Sequence, residues 1–268
     1  MQHSAIRQEP PPVSLWLQSG FRSFIRGYLR RHFHSIAVVD NDVWNFVFPE
    51  DQPLIFYCNH PSWWDPLLVH FFNETRFPKR QFYAPIDADA LEQYQVFKKL
   101  GFYGVSLNSL RGASVFLEQS RAIISASNTV LWITPEGRFS DVRDRSAPFM
   151  PGLAHLCSGL DHGFVVPMSL EYAFWEERLP EVLCKMGAFI DVAKSGQMTK
   201  SEWQIRLTGE LRKTQADLAA LVISRDSKPF RNLLSGKKGS GPMYDTMRRI
   251  RALLAGKRLK ASHGKQFE

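Results

Sequence analysis

The chain reads as an α/β protein: a mixed, largely parallel sheet flanked by helices, preceded by an amphipathic helix and followed by a basic tail. Three observations lead there. Short apolar runs bounded by turn residues recur at 54–58, 81–84, 129–134, 164–170 and 182–190, as buried strands do. Between them lie segments with helical spacing at 66–72, 90–99, 113–125, 152–159 and 199–223. Strand and helix therefore alternate, which favours parallel strands covered by helices, with functional residues gathered at strand ends.

The first element lies at 14–34. Leu17, Phe21, Phe24 and Tyr28, flanked by Trp16, Ile25 and Leu29, recur three and four residues apart, while Arg22, Arg26, Arg30 and Arg31 fall mostly on other faces. This is the composition of a basic helix lying at a lipid interface, and equally of a helix packed on the body. The strand at 54–58 leads to Asp65-Pro66, where Asp65 is expected to cap the following helix with Pro66 at its first position. The helix at 199–223 opens on Thr199-x-x-Glu202, a capping-box pattern. A last, basic helix is expected at about 242–255, after the Gly/Lys/Ser stretch 235–241, which lacks the pattern of a phosphate-binding P-loop.

Composition sets further bounds. Of 268 residues 44% are hydrophobic and 22% charged, enough apolar material for a globular core. The net charge of +8 is unevenly spread: residues 1–35 hold five Lys/Arg against one acid and residues 225–268 hold twelve against three, leaving −5 for the middle. The expected division is thus a basic N-terminal segment 1–35, a main domain 36–224 and a basic extension 225–268. An acidic body with basic ends suits an anionic membrane surface and argues against a nucleic-acid groove. Cys58, Cys157 and Cys184 form no paired motif, and no apolar run approaches the roughly 18 to 20 residues of a membrane span. The expected place is the cytoplasm, peripheral on the inner face of the membrane.

Two segments carry chemistry. Asn59-His60 ends the first central strand, and Asp65 follows five residues after His60. A carboxylate there can bend back to one imidazole nitrogen and leave the other to take a proton, the His-Asp half of a triad; the spacing fits equally a capping Asp near a loop histidine. The second segment, Thr134-Pro135-Glu136-Gly137-Arg138-Phe139-Ser140, also follows an apolar strand. Its glycine lets backbone approach a ligand, and Arg138 can pair with a phosphate. Trp63 and Trp64 line a substrate path or belong to the core. A metal site made of His60, Asp65 and His70 is a rival, disfavoured because those residues do not share one helical face.

In order and spacing, Asn59-His60-x-x-x-x-Asp65-Pro66 and, about 70 residues later, Pro135-Glu136-Gly137 resemble the glycerolipid acyltransferase family, whose best-known members are the lysophosphatidic acid acyltransferases. Gly101 to Arg111 and Val166-Pro167-Met168 resemble two weaker blocks of that family, so the likeness spans 53–170. The resemblance implies His60 as general base, oriented by Asp65. It implies substrate contacts from Asn59, Arg111, Pro135, Glu136, Gly137 and Arg138. No cofactor is implied; an acyl-CoA or an acyl-carrier-protein thioester would be the donor and a lysophospholipid-like hydroxyl the acceptor. Two departures stand out: the Pro-Glu-Gly turn continues Arg138-Phe139-Ser140 where the family has Thr-Arg-Ser, and the usual arginine of the second block is replaced near Asn108, with Arg111 the nearest candidate. The alternative reading is a peripheral lipid-binding protein without catalysis.

Overall fold

The computed structural model describes residues 9–237 and 267. In chain order the elements are α1 (Leu15–His32), β1 (Ser35–Val39), α2 (Asp42–Asn45), β2 (Leu54–Cys58), α3 (Asp65–Arg76), β3 (Gln81–Asp87) and α4 (Ala88–Gln93). A 3-10 turn (Gln95–Leu100) follows, then β4 (Phe102–Val105), α5 (Leu110–Ile124), β5 (Thr129–Ile133), α6 (Gly152–Cys157), β6 (Phe164–Ala173), β7 (Glu181–Met186), β8 (Ile190–Asp191), α7 (Lys200–Ser224) and β9 (Phe230–Ser235). The strands form one sheet in the order β4-β3-β5-β2-β6-β7-β1-β9, with β8 paired to β6.

Five strands, β4, β3, β5, β2 and β6, run parallel to one another. β7 is antiparallel to β6, and β1 is parallel to β7. The parallel strands are buried on both faces, which is why they read in the sequence as unbroken apolar runs. Alternate residues serve the two faces. Phe56, Val130, Trp132 and Val166 pack under α1 and α3 with Ile25, Leu29, Leu68 and Phe71. Ile55, Tyr57, Leu131, Ile133 and Val165 pack under α5, α6 and α7 with Ile123, Leu153, Leu207 and Leu211.

Several expectations are corrected in detail. Trp64, not Asp65, is the N-cap of α3, which places Asp65 and Pro66 inside its first turn. The Asp65 carboxylate is drawn back over the preceding loop, where it accepts from Ser62 N at 3.0 Å. The expected strand 182–190 is two strands, β7 and β8, separated at Gly187-Ala188-Phe189, where a β-carbon on Gly187 would collide with Thr214. The expected helix 90–99 is α4 followed by the 3-10 turn, ended by Gly101 in a left-handed conformation at φ +103°. The capping box of α7 forms in full. Three strands had no expectation: β1, β4 and β9. β9 lies inside 225–268, yet it pairs with β1 and buries Phe230 and Leu234. The helix expected at 242–255 lies outside the described residues.

α1 packs through Gln18, Ile25 and Leu29, with Phe21 edge-on to His70 of α3 at 5.0 Å. Its opposite face leaves Trp16 81% and Phe24 57% exposed. Past β9 the chain returns to α1: Gly236 N donates to His34 O at 2.8 Å and Lys237 N to Arg30 O at 3.1 Å. Only glycine fits at 236, since a β-carbon there would meet Phe33 O at 1.8 Å.

Candidate active site

Because five neighbouring strands run the same way, the loops after β2, β4 and β5 emerge at one edge of the sheet, and β6 extends past that edge to Ala173. The β2 loop carries His60. Its Nδ1 lies 2.6 Å from Asp65 Oδ2, and the Asp65 side chain is 1% exposed while that of His60 is 17% exposed. In the tautomer that carries its proton on Nδ1, the ring donates to the buried carboxylate and Nε2 keeps a free lone pair.

Asp65 is held from three directions. Oδ2 accepts from His60 and from Ser62 N, and Oδ1 accepts the hydroxyl of Tyr172 on β6. Burial, then the adjacent Asp65 charge, raises the Tyr172 phenol well above its ordinary value, so it remains a donor. Asn59 fastens the same strands. Its side-chain amide donates to Leu170 O at 2.9 Å and its carbonyl accepts from Leu170 N at 2.8 Å, joining the end of β2 to β6. Both ends of the buried Asn59 amide are thus engaged by the scaffold.

The Pro135-Glu136-Gly137 turn follows β5. Gly137 sits at φ +62°, a conformation that favours glycine, and a β-carbon there would lie 2.4 Å from Sδ of the flexible Met150 side chain, which would have to shift. Leu107 of the β4–α5 loop lies beside it, with Cδ2 3.9 Å from that same position. Glu136 points inward. It accepts from Arg212 Nη1 of α7 at 2.8 Å, an ion pair whose two side chains are 1% and 14% exposed. Arg212 also reaches Gln215 and the carbonyl of Ala147, so α7 braces the loop from behind.

The two loops touch directly. Ser140 N donates to His60 O at 3.0 Å, and the Phe139 ring lies 4.3 Å from the imidazole. Arg138 is exposed, 3.8 Å from Asp144. Arg111 is exposed on the first turn of α5, which Ser109 caps through Gly112 N at 2.9 Å. Trp63 is exposed, whereas Trp64 is half-buried against Tyr28, His32 and Phe33.

His60, Asp65, Asn59 and the Pro135–Gly137 turn therefore meet in one neighbourhood, with Arg138 exposed directly after that turn and Arg111 exposed on the first turn of α5. His70 does not join them: it packs between Phe21 and Phe82, each ring centre 5.0 Å away. Among the described residues no group of three or more His, Cys, Asp or Glu could hold a metal ion. Three residues escaped sequence reasoning. Tyr172 lies beyond the expected end of its strand, Arg212 is 76 residues from its partner, and Phe139 looked only like a departure from a motif. A longer reading of β6 would have found the first; no local signal marks the second.

Beside this strand-end His-Asp pair and Pro-Glu-Gly turn stands one family finding: residues 43–171, just under half of the chain, match the family model described as Acyltransferase. That match agrees with the glycerolipid acyltransferase resemblance of the motifs. Among solved structures the chain is similar to the crystal structure of the 1-acyl-sn-glycerophosphate (LPA) acyltransferase PlsC from Thermotoga maritima. That likeness has a TM-score of 0.49 and 16% identity, covering 79% of this chain and 81% of the other. No curated protein matches this chain.

Proposed function

We propose that the protein transfers a fatty acyl group from a thioester, acyl-CoA or acyl carrier protein, to the hydroxyl of a lysophospholipid-like acceptor, with His60 as general base. The observation that carries this reading is the 2.6 Å contact between His60 Nδ1 and buried Asp65 beside a partly open imidazole. Asp65 holds the ring so that Nε2 removes the acceptor's hydroxyl proton. The oxygen attacks the thioester carbonyl carbon, forming a tetrahedral oxyanion at the Pro135–Gly137 side. When the oxyanion collapses, the C–S bond breaks and the departing sulfur takes the proton from His60, leaving ester and free thiol.

Arg111 and Arg138 supply exposed guanidinium groups for a phosphate on the acceptor. Asn59 and the Glu136–Arg212 pair act as positioning residues, because both ends of the Asn59 amide and the Oε1–Nη1 contact of the ion pair are engaged inside the fold. The acceptor is drawn from a membrane on which the protein sits peripherally. In support, no helix among the described residues is long and apolar enough to cross a membrane, and α1 presents Trp16 and Phe24 outward beside Arg22, Arg30 and Arg31.

The test is thiol release from an acyl-CoA with mixed lysophospholipids as acceptor. A His60→Ala protein with an unchanged circular-dichroism spectrum is expected to lose turnover; wild-type turnover in that variant overturns the assignment.

A further inference from the structure

We propose that Tyr172 is a positioning residue of the reaction, fixing the Asp65 carboxylate through its second oxygen while Asn59 sets the strand that carries it. This rests on the reading of His60 as general base. A carboxylate has two oxygens, and an orienting carboxylate acts through its rotation as much as its charge. Asp65 Oδ2 serves His60 at 2.6 Å and Ser62 N at 3.0 Å. The side chain is almost wholly buried, so water is not at hand for Oδ1, and Tyr172 provides the donor.

The supply line is local and mechanical. Leu170 and Tyr172 lie two residues apart on β6 and therefore point to the same face. Asn59 grips the backbone of Leu170 with both halves of its amide, immediately before His60 in the chain. One strand end thus brings the base, and the strand beside it brings the group that steadies the base's partner. Phe33 packs against the Tyr172 ring with centres 5.9 Å apart and holds the phenol from behind.

Without the hydroxyl, Oδ1 is a buried acceptor with no donor. The carboxylate is then free to rotate or to draw a proton, and either change moves the His60 proton it holds. Tyr172→Phe removes one oxygen and little packing. It is expected to lower kcat about ten- to a hundredfold, the scale of one hydrogen bond to a charged group, with KM for both substrates within about twofold. The readout that packing alone does not move is the downfield proton resonance of His60 Nδ1, identified by its loss in His60→Ala. That resonance shifts in Tyr172→Phe. The control is Tyr103→Phe, which removes another buried hydroxyl, bonded to Ser120 at 2.8 Å, and leaves the resonance in place.

An unmoved resonance with wild-type kcat in Tyr172→Phe overturns the proposal, as does a rate loss whose resonance stays where Tyr103→Phe leaves it. Turnover in His60→Ala would instead sink the general-base reading. Inactive His60→Ala and Asp65→Asn beside a fully active Tyr172→Phe would remove Tyr172 alone.

Discussion

His70 shows how a residue type shared with the site does different work. It sits one turn and a half along α3 from Asp65, wholly buried, with neither ring nitrogen hydrogen-bonded to a described residue. Burial, then the charge of Arg22, lowers its pKa from 6.5 to about 4. In the fold it is neutral where the unfolded chain takes up a proton, so acidification from about 6.5 to about 4 favours unfolding, and below that this residue adds no more. A difference of that size corresponds to roughly 3 kcal/mol. His70→Phe, which keeps a ring between Phe21 and Phe82, is expected to lose much less stability between pH 7 and 4.5 in urea denaturation. Equal losses in both proteins would count against the buried neutral ring. At this scale the sequence showed His60, Asp65 and the Pro-Glu-Gly turn, because each belongs to a short, local pattern. Tyr172 and Arg212 were hidden because their partners, Asp65 and Glu136, lie 107 and 76 residues away.

Among the elements, the central strands were legible because burial on both faces writes them as continuous apolar runs. β1, β4 and β9 were not. β4 has four residues, and β9 has only Phe230 and Leu234 buried, too few for a period to emerge. β1 is fully buried, but its start directly follows α1, whose apolar residues run into it. α1 itself was read with both its faces, and the structure assigns them: Ile25 and Leu29 inward, Trp16 and Phe24 outward. The outward pair belongs to the proposed membrane contact. Replacing both with serine is expected to cut co-sedimentation with phosphatidylglycerol vesicles at least severalfold while leaving the melting temperature within a few degrees, since neither side chain is in the core. Wild-type sedimentation by the double variant would move the contact elsewhere.

For the whole molecule, the sheet does not stop where the composition changes. The acidic middle and basic end divide near 224, but β9 completes the sheet beyond β1, and we propose that the structural unit extends at least through Lys237. A chain ending at 227 is expected to be less stable than one ending at 237 by about 3–6 kcal/mol, the burial of Phe230 and Leu234 together. Matching denaturation midpoints for the two would return the boundary to 224. The fold class and the gathering of functional residues at strand ends follow from the alternation of strand and helix, which sequence records; the strand order does not. Nor does the closing of the outer strands, since it depends on pairings such as Ser35 with Ser235, at opposite ends of the described chain.

The hydrogen bonds from Gly236 to His34 and from Lys237 to Arg30 in the last turn of α1 give the molecule a pole. The last described stretch, β9 and its exit, thus meets the end of the one helix that carries Arg22, Arg26, Arg30 and Arg31, while residues 36–224 are net negative. A basic helix on an oppositely charged body makes an electric dipole, and near an anionic bilayer a dipole feels a torque before any side chain touches lipid. The protein would arrive already turned, in the manner of a compass needle, and salt would blunt that alignment before it affected the apolar contact of Trp16 and Phe24.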